Sequence, residues 1–149
     1  RRELFSESNQ TVAEKFKAAQ DVGLTPILCV GESLQQRQQE QTLKVVAAQI
    51  AAVIGCVGLS NVCRAVIAYE PVWAIGTGEV ASPEQAQQVH SAIRAQLGEA
   101  GVETRLLYGG SVKASSAAEL FTQQDINGGL VGGASLEAQE FLNIVQLAE

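Results

Sequence analysis

The sequence predicts an α/β fold in which short parallel strands alternate with helices, and three observations lead there. Short apolar runs at residues 25–30, 65–69, 105–108 and 128–131 alternate strictly with longer stretches of helical periodicity. The connections are short, and strands that alternate with helices form parallel sheets whose right-handed crossovers set successive strands side by side. Glycine-rich or acidic residues follow each run: Gly31-Glu32, Glu70, Gly109-Gly110 and Gly132-Gly133. The pattern alone leaves an open doubly wound sheet possible. Chemistry gathered after every strand favours a β/α barrel, whose sites are built on that rim.

Taken in order, the first helix starts at Ser8 or Asn9 as N-cap, places Val12, Phe16 and Ala19 at helical spacing, and ends at Gly23. Residues 25–30 read as a short buried strand running into Gly31-Glu32-Ser33. Residues 35–41 are polar and low in complexity, a solvated loop entering a helix whose inner face is Leu43, Val46, Ala47, Ile50 and Val53 and whose end is Gly55. Residues 58–64 connect to the run 65–69, apolar enough for a strand buried on both faces. Pro71 stops that strand because it has no N–H to give a ladder. Ser82-Pro83-Glu84-Gln85 is a capping box with proline in the first helical position, and Val89, Ile93 and Leu97 turn that helix inward. A loop at 98–104, a third strand at 105–108 and a short helix boxed by Ser116 and Glu119 follow. Residues 128–131 make a fourth strand, and Ser135 caps a last helix with Phe141, Leu142 and Val145 facing in. No composition shift divides the chain, so residues 1–149 form a single domain.

A chain of 149 residues with 46% apolar and 17% charged content can bury a real core. A whole β/α barrel needs about 250 residues, so this chain holds part of one. Four strands cannot close an eight-stranded barrel; edges and an inner face would lie open, and the isolated chain should be unstable, aggregate or dimerise. A net charge of −6 argues against a nucleic-acid partner, which would call for a basic surface. Three cysteines, Cys29, Cys56 and Cys63, with no C-x-x-C spacing, read as reduced thiols. No apolar run approaches the ~20 residues of a membrane span, no membrane partner is expected, and no basic-then-apolar leader opens the chain. The expectation is a cytoplasmic protein.

The candidate chemistry centres on residues 65–81. Glu70 sits at the tip of a rigid strand, and Pro71 to Ala81 supply bulk at Trp73 and flexibility at Gly76 and Gly78, a loop able to fold over a general base and exclude water. A structural ion pair is the plain alternative for Glu70. Gly109-Gly110-Ser111 and Gly132-Gly133 follow consecutive strands, where side-chain-free turns let backbone N–H groups converge on an anion. His90, the sole histidine, lies mid-helix and is expected to be exposed or half-buried. No metal-binding constellation is present in the sequence.

Residues 68–78, A-Y-E-P-V-W-A-I-G-T-G, together with L-Y-G-G-S-V at 107–112 and L-V-G-G-A-S at 130–135, resemble, in the same order, signature stretches of the triosephosphate isomerase family. The resemblance runs the length of the chain but covers the later part of the family's sequence. It implies a (β/α)8 TIM barrel of which this chain forms roughly the last four strand-helix units. It also implies interconversion of dihydroxyacetone phosphate and glyceraldehyde 3-phosphate through an enediolate, without a cofactor, in glycolysis and gluconeogenesis. A small phosphorylated triose is the implied partner, and a homodimer is expected of the full-length enzyme. Residue by residue, it implies Glu70 as catalytic base, 71–81 as lid, and Gly76, Ser111, Gly132 and Gly133 as substrate-binding residues that meet the phosphate through backbone amides. Trp73 resembles a hinge anchor received by Glu32, and Tyr108 the tyrosine that holds the closed lid near Ala81, although ordinary packing would also explain them. Glu79-Val80 departs from the family's commoner basic-then-small pair. The family's electrophilic histidine and its substrate-binding asparagine and lysine lie upstream of Arg1, so this chain alone is expected to be inactive or nearly so. Three rivals stand beside this reading: a non-catalytic phosphate-binding half-barrel module, another barrel enzyme acting on sugar phosphates, and an incomplete piece of an intact enzyme.

Overall fold

Three parallel strands, β1 (Ile27–Val30), β2 (Val66–Tyr69) and β3 (Arg105–Tyr108), lie side by side in that order. The structure is a computed structural model and describes residues 1–2, 4–75 and 80–148. Its register sets Ile27, Val66 and Arg105 abreast at one end and Val30, Tyr69 and Tyr108 abreast at the other. Gly31, Glu70 and Gly109 therefore leave the sheet as neighbours. Residues 128–131, expected as a fourth strand, contribute a single bridge between Tyr108 and Gly129. The backbone bonds Tyr108 N to Gly128 O (3.0 Å) and Leu130 N to Tyr108 O (2.9 Å) are made. One rung earlier, the N–H of Leu106 donates to the side-chain Oδ1 of Asn127 at 2.9 Å, and a side chain in place of a carbonyl ends the ladder.

Local chemistry accounts for most helix ends. Helix α1 (Asn9–Asp21) is capped by Ser8, whose Oγ accepts from Thr11 N at 3.1 Å. It closes on Gly23, at φ 80, with bonds Gly23 N to Gln20 O and Leu24 N to Ala19 O. The polar loop expected at 35–41 is instead a short helix, α2 (Leu34–Gln38), started by a capping box between Ser33 and Gln36. Helix α3 (Thr42–Val57) runs through Gly55 and stops at Gly58, whose φ of 82 suits glycine. Val46, Ile50 and Val53 are buried on it, whereas Leu43 is exposed. A further short helix, α4 (Leu59–Cys63), stands where a connecting loop was expected.

Helix α5 (Pro83–Leu97) has the expected capping box, Ser82 with Gln85. Helix α6 (Ala114–Phe121) begins ahead of Ser116, whose Oγ accepts from Lys113 N at 3.2 Å. Ser135 does not cap α7 (Ala138–Gln146). It lies in a 3-10 turn, Gly133–Leu136, and donates to Gly132 O at 2.6 Å. Phe141, Leu142 and Val145, expected to face in, are exposed, and Ile144 is the buried residue of α7.

The core lies between the sheet and its helices. Leu28, Ile67 and Leu106, with Val30, Tyr69 and Tyr108, point to this side and meet Phe16 of α1, Ile50 of α3 and Ile93 of α5 in one apolar cluster. The opposite face is largely open: Ile27, Cys29 and Arg105 are exposed, and Ala68 at its centre is buried. His90 belongs to the buried face of α5, contrary to the exposed or half-buried position expected, because its turn of the helix packs against the ring of Tyr69. Among the described residues no helix is long and apolar enough to cross a membrane.

Candidate active site

The carboxylate of Glu70 lies at the C-terminal end of the central strand, between two glycines that the register makes its neighbours. Glu70 N donates to Val30 O at 2.7 Å, which extends the β1–β2 ladder one step and fixes the direction of departure. A β-carbon on Gly31 would lie 1.8 Å from Glu70 O, and one on Gly109 would lie 2.6 Å from Glu70 Cγ. No side chain fits at either position, so both glycines are needed where Glu70 packs across them. Glu70 also faces Cys29 on the open side of the sheet. Desolvation, followed by the charge of Glu70 and a hydrogen bond to it, pushes the Cys29 thiol up to about 12.

Glu70, Ser111, Gly132 and Gly133, four of the five residues singled out in the sequence, line one cavity of about 580 Å³. Gly109, Gly110 and Val112 continue its wall on one side, and Leu130, Val131 and Ala134 on the other. Gly76, the fifth, lies outside the described residues, as does most of the expected lid tip. Gly132 and Gly133 have open space where a side chain would stand. Among the described residues no hydrogen bond engages the amides of Ser111 or Gly132, which leaves N–H donors for a ligand. Lys113 lines the cavity but is exposed.

The segment after Glu70 is anchored to a buried carboxylate. Residues 72–74 form a 3-10 turn, and Val72 N donates to Glu32 O at 3.1 Å. Glu32, with no exposed surface, accepts from Trp73 Nε1 at 2.9 Å and from the Tyr69 hydroxyl at 3.1 and 3.2 Å. Thr42 Oγ1 and Arg37 Nη1 each donate to it at 3.3 Å. Burial and the facing Glu32 carboxylate push the Tyr69 phenol up. Glu32 and Trp73 thus meet as the sequence reading expected. Burial raises the Tyr108 phenol. The Tyr108 hydroxyl makes no well-formed hydrogen bond among the described residues.

Two residues near the site were not singled out from the sequence. Arg37 was hidden in a stretch read as loop; the capping box Ser33-Leu34-Gln35-Gln36 was the signal available. Glu140 of α7 lines the cavity and accepts from Ala114 N, at the start of α6, at 2.8 Å. No local pattern could have announced that long-range contact. A second cavity, of about 660 Å³, opens at the other end of the strands, lined by Lys17, Asp21, Pro26, Asn61 and Arg64. Its charged groups have partners, Lys17 in the Asp21 carboxylate and Arg64 in the Asn61 side-chain oxygen, and it lacks a carboxylate at a strand tip, so we place the site at Glu70.

The triosephosphate isomerase family model matches residues 1–148. A triosephosphate isomerase of Ectopseudomonas mendocina is 59% identical over 152 residues, covering 99% of this chain and 61% of the relative. That of Nitrosomonas europaea is 56% identical over 153 residues, covering 100% and 61%. The same enzyme of Pseudomonas aeruginosa strain LESB58 is 59% identical over 152 residues, covering 99% and 61%. The chain spans about three-fifths of the length of these relatives. With a match of this extent over a parallel sheet and its helices, the chain belongs to the triosephosphate isomerase family.

Proposed function

We propose that Glu70 is the general base, and that the two Gly-Gly turns are the phosphate-binding wall, of an enzyme that interconverts dihydroxyacetone phosphate and glyceraldehyde 3-phosphate. One observation supports this reading above the others: Glu70 and both turns line the same cavity of about 580 Å³. The phosphate of a triose held by the amides of Ser111, Gly132 and Gly133 needs no cationic side chain, which suits a chain of net charge −6. The reacting carbons then face Glu70, whose carboxylate takes a proton from one carbon and returns it to the next as charge passes through an enediolate. Residues 71–81 are the cover that excludes water, with Gly76 meeting the phosphate through its backbone N–H. No cofactor takes part.

The 149 residues alone are inactive or nearly so in this proposal, because their single histidine, His90, is buried among the helices behind the sheet. The complete enzyme is a cytoplasmic homodimer of glycolysis and gluconeogenesis. In that complete enzyme Glu70→Gln keeps the shape and removes the basicity, and kcat should fall about 10²–10⁴-fold with KM little changed. An unaltered kcat would exclude Glu70 as the base. Tight binding of a triose phosphate analogue without turnover by the unsubstituted protein would favour the non-catalytic half-barrel module instead.

A further inference from the structure

We propose that Arg37 is a positioning residue that clamps the Trp73 indole onto the buried Glu32 carboxylate and thereby fixes the chain that leaves Glu70. Its guanidinium does two things at once: Nη1 lies 3.3 Å from Glu32 Oε1, and Cζ sits 4.7 Å from the centre of the Trp73 ring. The same oxygen, Oε1, accepts the indole N–H of Trp73 at 2.9 Å. The indole is therefore fixed at its edge by a carboxylate and over its ring by the cation that balances that carboxylate. Glu32 is fully buried, and Arg37 is the cation paired with it among the described residues. The position of Arg37 follows from local sequence: the Ser33–Gln36 capping box starts α2 directly after Glu32 and turns the chain back over it.

The consequence reaches Glu70 through a short path. Trp73 belongs to the 3-10 turn that begins two residues after Glu70, and the same turn is held by the Val72 N to Glu32 O bond. Loss of the Arg37 clamp removes the cation from over the indole and so loosens this turn beside Glu70. The catalytic consequence rests on the reading of Glu70 as base; the positioning itself does not, and it can be tested without activity.

Trp73 is the sole tryptophan of these 149 residues, so the fluorescence of this chain reports the clamp directly. In Arg37→Met, which keeps bulk and removes charge, emission should shift to the red and the acrylamide quenching constant should rise about twofold, as for an indole stripped of a shielding cation. Arg37→Lys restores the charge beside Glu32 without the planar face and should recover the emission in part. Should Arg37→Met fail to fold by circular dichroism, Glu32→Gln with Arg37→Met removes the uncompensated buried charge, and the quenching rise should persist in it. Unchanged emission and quenching in a folded variant of either kind would overturn the proposal. If Glu70→Gln left the complete enzyme's kcat intact while these fluorescence changes appeared, the catalytic reading would fail and the clamp would stand.

Discussion

Helices α5 and α7 each present apolar residues on one helical face, and the two sets meet different fates. Val89, Ile93 and Leu97 of α5 are 1 to 2% exposed, whereas Phe141, Leu142 and Val145 of α7 are 38%, 53% and 44% exposed. The difference lies in their neighbours. Helix α5 joins the core between α3, α6 and the sheet, while α7 touches mainly α6 and the turn before it. The face of α7 that packs is centred on Ile144, one position from the expected stripe and so about 100° around the helix. Periodicity reports that a helix has an apolar face; the element laid against it decides which residues are covered.

Three measurements break or sharpen this contrast. Ile93→Ala removes a branched side chain from a fully packed site and should cost about 2–5 kcal/mol in urea unfolding. A cost indistinguishable from that of a surface change would mean that α5 is not the packed helix described. The second concerns His90 on the same buried face, where desolvation lowers the imidazole from 6.5 to about 4. The unfolded chain binds a proton at this group below 6.5 and the folded chain does not until about 4. Stability is therefore complete above the first value and lost as pH falls toward the second, by about 3 kcal/mol in all. His90→Gln should flatten that stretch of the stability–pH curve, and an undiminished slope would show that another group controls it. The smallest effect belongs to α7: Leu142→Ala should change stability by no more than about 0.5 kcal/mol. A loss as large as that of Ile93→Ala would show that the exposed stripe is covered in solution.

Where a rule spans a few residues, the sequence was legible. The box Ser82–Gln85 starts α5 and Gly23 closes α1 as read, and Ser8, one of the two residues read as its N-cap, caps α1, because these bonds join groups within three to five positions of one another. The motif around Glu70 and both Gly-Gly turns could be read as three separate strings. Their meeting in one cavity follows from the parallel register, which sets Glu70 beside Gly109. Less legible were the stretches in which two local readings compete. Residues 35–41 look like loop by polarity and like helix by the Ser33–Gln36 box, and the box prevailed in α2. Residues 128–131 are apolar enough for a strand, yet the Asn127 side chain takes the Leu106 N–H and leaves one bridge.

By itself the sequence determined the alternation of strands and helices, the caps and stops that bound them, and the chemical types at each strand tip, since these depend on side-chain size, backbone freedom and near-neighbour hydrogen bonds. The tertiary structure alone decided that Arg37 lies over the Trp73 ring and beside the buried Glu32, that His90 faces Tyr69, and that α7 turns Ile144 inward and Leu142 outward. Those outcomes depend on which surfaces lie within a few ångströms after the chain has folded back on itself. Desolvation and packing act across that distance regardless of how far apart the residues stand in the chain.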